Sequence, residues 1–207
     1  MRMKIPELSR EKETLILNAA QSRFAVYGLT KVTMDEIAED VGMGKASLYY
    51  YFPTKEDIFR GVIQREQQEF LRRMHVVVEG KSTAGKKLET YVRQRVKLAS
   101  QLLNLSSLSH NSWSALKPVF KDLFNCFAEE ECKVLTRIIR EGKRTSEFSV
   151  AVPEKTGQLI LHVLQGMRLR LIRDSGHSIS KQHYEELERE TFLFIDVFLH
   201  GLSQREN

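Results

Sequence analysis

Residues 33–52 read T-M-D-E-I-A-E-D-V-G-M-G-K-A-S-L-Y-Y-Y-F, and the fold is decided there. Thr33 with Glu36 three residues on is a capping box, which satisfies N–H groups that a helix start leaves open. Asp35 and Glu36 fall in the first turn, where the helix dipole favours negative charge. Ile37, Ala38 and Val41 supply a buried side, and Gly42 ends this helix after about two turns. Gly42-Met43-Gly44 is a connection of the length a helix-turn-helix needs. The next helix opens near Lys45. It must stop by Pro53 and reaches no further than Phe52, because the residue before a proline avoids the α region. Leu48 and Phe52 lie one turn apart and mark its buried face.

Tyr49, Tyr50 and Tyr51 stand in a row on that helix. Successive helical residues are turned by about 100°, so three cover most of the circumference and at least one ring faces outward. A phenol suits a protein–DNA boundary: its OH bonds a phosphate oxygen while the ring packs on sugar or a thymine methyl. Lys45 and Lys55 bracket the helix, each placed to neutralise a phosphate. Ala46 and Ser47 are small and allow close approach to base edges. The plainer alternative is a surface aromatic cluster packed on the next helix.

Working outward, residues 11–27 carry Leu15, Ile16, Ala19, Ala20, Phe24 and Tyr27 at helical spacing. Gly28 follows where a left-handed cap residue is expected. A charged arm with Arg2, Lys4, Arg10 and Lys12 precedes this helix. Thr54 and Asp57 form a weaker capping box for a fourth helix running to about residue 78. The stretch 79–86 reads as a linker. Helices are expected at about 86–104, 121–141, 153–174 and 181–202. Between them lie a broken region at 105–120, with S-S-L-S-H-N-S at 106–112, and a loop at 141–149. No stretch shows strand alternation, so the expected fold class is all α.

Totals narrow the function. The 207 residues hold four prolines and eleven glycines, with 42% hydrophobic and 29% charged content, ordinary for a soluble globular protein. No apolar run is long enough to span a membrane, and the first residues lack a signal-peptide core. The expected location is the cytoplasm. Cys126 and Cys132 are turned by about 240° from each other on a helix, which excludes an intrahelical disulfide; two small half-buried thiols in a reducing compartment are expected. No metal-ligand spacing and no nucleophile–base pair stands out, so neither cofactor nor metal nor enzymatic activity is expected. Gly42 to Lys45 imitates the end of a phosphate loop, but that motif needs glycine at 39 and Ser or Thr at 46, where the chain has Glu39 and Ala46. The net charge of +5 does not point to the reader, since residues 1–60 hold nine Lys/Arg and nine Asp/Glu. Residues 81–100 are basic and 175–207 acidic.

Phe24, Gly28, Thr33, I-A-E-D-V-G (37–42) and L-Y-Y-Y-F-P-T-K-E-D (48–57) together resemble the tetracycline-repressor (TetR) family over about residues 10–60. The resemblance implies a three-helix DNA-binding domain at 1–53 and a helical effector-binding and dimerisation domain at 54–207. It implies that Thr33 caps its helix and touches a phosphate. Gly44, Lys45, Ala46 and Ser47 would open the recognition helix where bases are read. Tyr49 and Tyr50, with Tyr51 shared between groove and packing, would make groove and phosphate contacts, and Lys55 a phosphate contact. Gly44 stands where the family often has Ser, which removes a side-chain cap. Ser146 stands where a glycine often precedes Glu-Phe.

The last two helices carry apolar residues on more than one face: Leu159, Leu161, Leu164, Leu169, Phe194, Val197 and Leu202 among them. One face buries on its own domain and another wants a partner. The resemblance implies a homodimer built on a four-helix bundle of these helices, whose two readers meet double-stranded operator DNA at half-sites about one helical turn, ~34–36 Å, apart. It also implies that residues 86–140 enclose a pocket for a small, largely apolar effector of unknown identity. Candidate lining groups are Tyr91, Leu102, His110, Asn111, Trp113, Phe120, Phe124, Phe127, His162 and Arg168; the three phenylalanines fit a core equally well. The expected function is a ligand-responsive transcriptional regulator, a repressor released from its operator by the effector. The alternatives are a helical binding or enzymatic protein with a vestigial reader, and a regulator without ligand.

Overall fold

A computed structural model of the chain describes residues 5–101, 121–174 and 180–202. Among these residues there are eight α-helices and no strand: α1 (Ile5–Lys31), α2 (Met34–Asp40), α3 (Lys45–Tyr51), α4 (Lys55–Glu79), α5 (Ala84–Gln101), α6 (Lys121–Arg144), α7 (Pro153–Asp174) and α8 (Lys181–Leu202). Packing divides the chain into two compact units. The first takes in α1 to α3 and α4 as far as Gln67; the second runs from Gln68 through α8. The resemblance placed the division at 53/54. The packing boundary lies further along because Ile58, Phe59, Val62 and Ile63 of α4 are core residues of the first unit.

In the first unit, α1 buries Ile16, Ala20 and Phe24, one residue per turn. Phe24 meets Phe59 edge-to-face, with centroids 5.2 Å apart, a favoured aromatic geometry. Leu15 and Tyr27 are exposed instead of buried: the stripe is narrower than the sequence reading, and both lie at its edge. The helix also begins earlier, at Ile5, so Arg10 and Lys12 lie in helix and not in a loose arm; Arg2 and Lys4 fall outside the described residues. Gly28 breaks the helix with φ 75° and ψ 162°, a region open almost only to glycine, and one more helical turn follows. A polar strap ties α1 to α4. Arg65 donates to Asn18 Oδ1 (2.8 Å) and the Leu17 carbonyl (3.2 Å), and Gln21 Nε2 donates to Glu66 (2.7 Å).

The second unit is a set of long helices. α7 and α8 span the ranges read from the sequence. Pro153 opens α7, where its missing N–H and fixed φ cost nothing. α6 continues to Arg144, three residues past the expected end. Leu135, Ile138 and Ile139 of α6 and Ile160, Leu161 and Leu164 of α7 are buried. Val96, Leu171 and Leu187 join α5, α7 and α8 in one apolar cluster, with Met167 and Tyr184 packed against it. Cys132 is half-buried on α6, but Cys126 is exposed.

Candidate nucleic-acid interface and effector region

The capping box at α2 forms as the sequence requires. Glu36 N donates to Thr33 Oγ1 at 3.3 Å, and Thr33 N donates to Glu36 Oε2 at 2.8 Å. The Thr33 backbone N–H, then its hydroxyl, hold the Glu36 carboxyl below its ordinary range. Arg23 of α1 bridges to Glu36 at 3.3 Å and grips both oxygens of Asp40. Its bond lowers the Asp40 pKa. These contacts fix α2 against α1.

The turn into α3 is a Schellman ending. Met43 N donates to the Ala38 carbonyl (2.9 Å) and Gly42 N to the Glu39 carbonyl (3.0 Å), with Gly42 at φ 65°. That conformation belongs to glycine or asparagine. Gly44 then caps α3 through its backbone alone, its carbonyl accepting from Ser47 and Leu48. Phe52 leaves the helix at φ −135°, as Pro53 demands. α3 is therefore a seven-residue helix fixed at both ends by backbone chemistry.

One side chain anchors it. Leu48 is fully buried, while Tyr50 is 82% exposed. Lys45, Ala46, Ser47 and Tyr49 are exposed as well. Tyr51 is half-buried and meets Tyr50 edge-to-face at 5.3 Å. The two lysines differ in what holds them. Lys45 Nζ pairs with Asp35 at 2.8 Å. Lys55 Nζ donates to the carbonyls of Thr30 (3.2 Å) and Val32 (3.1 Å), so it also closes the α1–α2 connection. Neither tie was visible in the sequence. The result is a short helix offering small side chains, two outward phenols and one ammonium, groups whose chemistry suits hydrogen bonding to phosphates and close approach to base edges.

Residues 16–62 match the family described as bacterial regulatory proteins, tetR family. Over nearly the whole chain, a transcriptional regulator from Cytophaga hutchinsonii is 39% identical. The alignment covers 92% of this chain and 98% of that one, with a TM-score of 0.81. The chain belongs to the tetR family of bacterial regulatory proteins. Among curated relatives, the fatty acid metabolism regulator protein of Bacillus subtilis is 25% identical over 67% of this chain and 72% of its own length. The nucleoid occlusion factor SlmA of Vibrio vulnificus is 22% identical over 86% and 92%. As a tetR-family protein the chain is a DNA-binding transcriptional regulator. Among the described residues no helix is long and apolar enough to cross a membrane.

The effector candidates scatter. Leu102, His110, Asn111, Trp113 and Phe120 lie outside the described residues. Tyr91 is not an open wall: it is fully buried, and its Oη donates to Glu131 Oε1 at 2.8 Å. Burial, then the Glu131 charge, push its phenol well above the ordinary value. Phe124 and Phe127 are half-buried, and Phe127 stacks edge-to-face on Phe70 at 5.3 Å. His162 is exposed, in line with Leu159 and Leu169 on the outside of α7. Arg168 is half-buried; burial lowers its pKa, and the charges of Arg95 and Glu131 both reach it. Arg95 and Glu131 were not candidates, yet with Tyr91 they form the polar centre of the unit. A cavity of about 190 Å³ lies between α7 and α8, lined by Met167, Leu171, Leu187 and charged groups including Arg170 and Glu190. None of the sequence candidates lines it.

Proposed function

We propose that the chain is a homodimeric repressor whose α3 reads operator DNA and which a small, largely apolar effector releases. The observation that carries the reading is the outward face of α3, with Leu48 inside and Tyr49 and Tyr50 in solvent. Gly44, Lys45, Ala46 and Ser47 meet base edges, Tyr49, Tyr50 and Tyr51 meet groove wall and backbone, and Thr33 and Lys55 meet phosphates. The roles divide at 53/54, with effector binding and pairing assigned to 54–207. α7 and α8 pair two chains through their exposed stripes. Kinship to a fatty acid metabolism regulator supports an effector with an apolar body. That effector, bound in the second unit, shifts α4 and with it the spacing of the two readers; coupling of ~1–3 kcal/mol changes affinity by about five- to 150-fold.

The test is a binding titration on the DNA flanking its own gene, over a salt series. Lys45→Ala and Tyr49→Ala are expected to weaken binding, and wild-type affinity in both would remove α3 from the interface. Lys55→Ala is expected to weaken binding to every duplex alike and to reduce the salt slope by about one.

A further inference from the structure

Lys45 reaches the DNA-facing surface already paired. Its Nζ lies 2.8 Å from Oδ1 and 2.9 Å from Oδ2 of Asp35 on α2, and both side chains are exposed. The bond to Asp35 raises the Lys45 pKa above its ordinary value. The other α2 acids are placed differently. Glu36 closes the cap on Thr33, Asp40 holds Arg23, and Glu39 points into solvent. Among the described residues Asp35 bonds to Lys45 alone. Lys45 is also the only cation in the sequence of α3. Exposed ion pairs add little to stability, so folding does not explain why the one positive charge of the reading helix carries a carboxylate.

We infer that Asp35 is an internal counter-ion that competes with DNA phosphate for Lys45 and thereby sets how tightly the protein holds DNA of any sequence. The inference rests on α3 being the reading helix. To an ammonium, a carboxylate and a phosphate offer the same anionic oxygen acceptors. When a phosphate arrives, Lys45 leaves Asp35 or is shared with it, and the carboxylate stays beside the incoming charge. The counter-ion released from DNA by Lys45 is then largely offset. The charge balance of residues 1–60, nine cations to nine anions, has the same sense. A weak grip on arbitrary DNA leaves discrimination to base and shape contacts.

The test uses the full chain as wild type, Asp35→Asn, Asp35→Ser, Glu39→Gln, Lys45→Ala and the Asp35→Asn/Lys45→Ala pair. Each is titrated by fluorescence polarisation against two duplexes of equal length, one from the DNA flanking its gene and one random. Asp35→Asn and Asp35→Ser are expected to bind both duplexes more tightly by a similar factor. Their salt slope steepens by about 0.9, which is about threefold more affinity lost between 50 and 200 mM salt. With Lys45 removed, the Asp35 change does no more than Glu39→Gln does. Unchanged or weaker binding by both Asp35 variants overturns the inference, as does Glu39→Gln matching them, which would make the effect bulk charge. If Lys45→Ala weakens binding while the Asp35 variants do nothing, the inference fails and the reading of α3 stands. If Lys45→Ala binds both duplexes as wild type does, the inference fails, and if Tyr49→Ala does so too the reading of α3 fails with it.

Discussion

Arg95 on α5 donates two hydrogen bonds to Glu131 on α6, from Nε to Oε1 at 2.7 Å and from Nη2 to Oε2 at 3.1 Å. The residues are 8% and 1% exposed. Burial works against the guanidinium charge, but Glu131 outweighs it and holds Arg95 above its ordinary pKa. Removing one partner of such a pair leaves the other charge buried alone, at a cost of about 3–5 kcal/mol. Glu131→Gln is expected to fall in that range by urea denaturation. Arg95→Met/Glu131→Leu together should recover most of the loss, because buried ion pairs are often replaceable by apolar side chains. Tyr91→Phe should cost about 1.5–3 kcal/mol, the loss of one bond to a charged acceptor. A Glu131→Gln chain as stable as wild type would show the pair to be hydrated.

Ser146 ends the turn after α6 with φ 60°. It is the position where the resemblance led one to expect glycine, and the backbone takes the glycine conformation without it. The Glu147 and Phe148 N–H groups donate to the Gly142 carbonyl at 2.9 and 3.1 Å, so the turn keeps its bonds. A left-handed non-glycine residue costs about 1–2 kcal/mol, part of which glycine returns as chain entropy in the unfolded state. Ser146→Gly is therefore expected to stabilise by about 0.5–1 kcal/mol in chemical denaturation. A loss of stability would mean that the Ser146 side chain holds the turn.

The same turn presents Glu147 to the start of α5. Its carboxylate accepts from Ala84 N at 3.2 Å, Gly85 N at 3.1 Å and Thr145 Oγ1 at 2.9 Å. Burial opposes its charge, but the Gly85 and Ala84 N–H groups prevail and lower its pKa below 4.5. A carboxyl depressed by folding stabilises above its unfolded pKa and loses that contribution as pH falls through the folded one. Glu147→Gln should thus cost about 1 kcal/mol at neutral pH, from lost capping and dipole contacts. The difference from wild type should shrink as pH drops below about 4.5. A difference independent of pH would assign the loss to packing.

What the sequence disclosed was chemistry between near neighbours. The capping boxes Thr33/Glu36 and Thr54/Asp57, the turn at Gly42 and the stop at Pro53 are local signals, and each formed. Contacts across the fold were not legible. Arg95 reads as one cation in the basic stretch 81–100, while its partner Glu131 is 36 positions away. Lys55 reads as a free phosphate ligand but bonds carbonyls 25 and 23 positions back. Periodicity showed that α1 is amphipathic yet could not tell that Leu15 and Tyr27 fall beyond the buried edge, since a stripe's width depends on what packs against it.

The outer faces of α7 and α8 supply the last prediction. Leu193 and Val197, one turn apart on α8, are 67% and 64% exposed, and Leu159 and Leu169 of α7 are exposed too. Gly166 and Gly201 have nothing within 4 Å of a would-be side chain, so both helices are bare where a second helix can approach closely. Large apolar residues left in solvent on two adjacent long helices want a partner, and a two-fold copy meets the need with the same patch on each side. Leu193→Glu/Val197→Glu places like charges across that axis. Because both side chains are already in water, the fold should hold, with circular dichroism unchanged. Light scattering should then report half the wild-type mass, and operator affinity should fall by at least about tenfold once the two readers are no longer linked. A variant that remains dimeric would move the interface off this face.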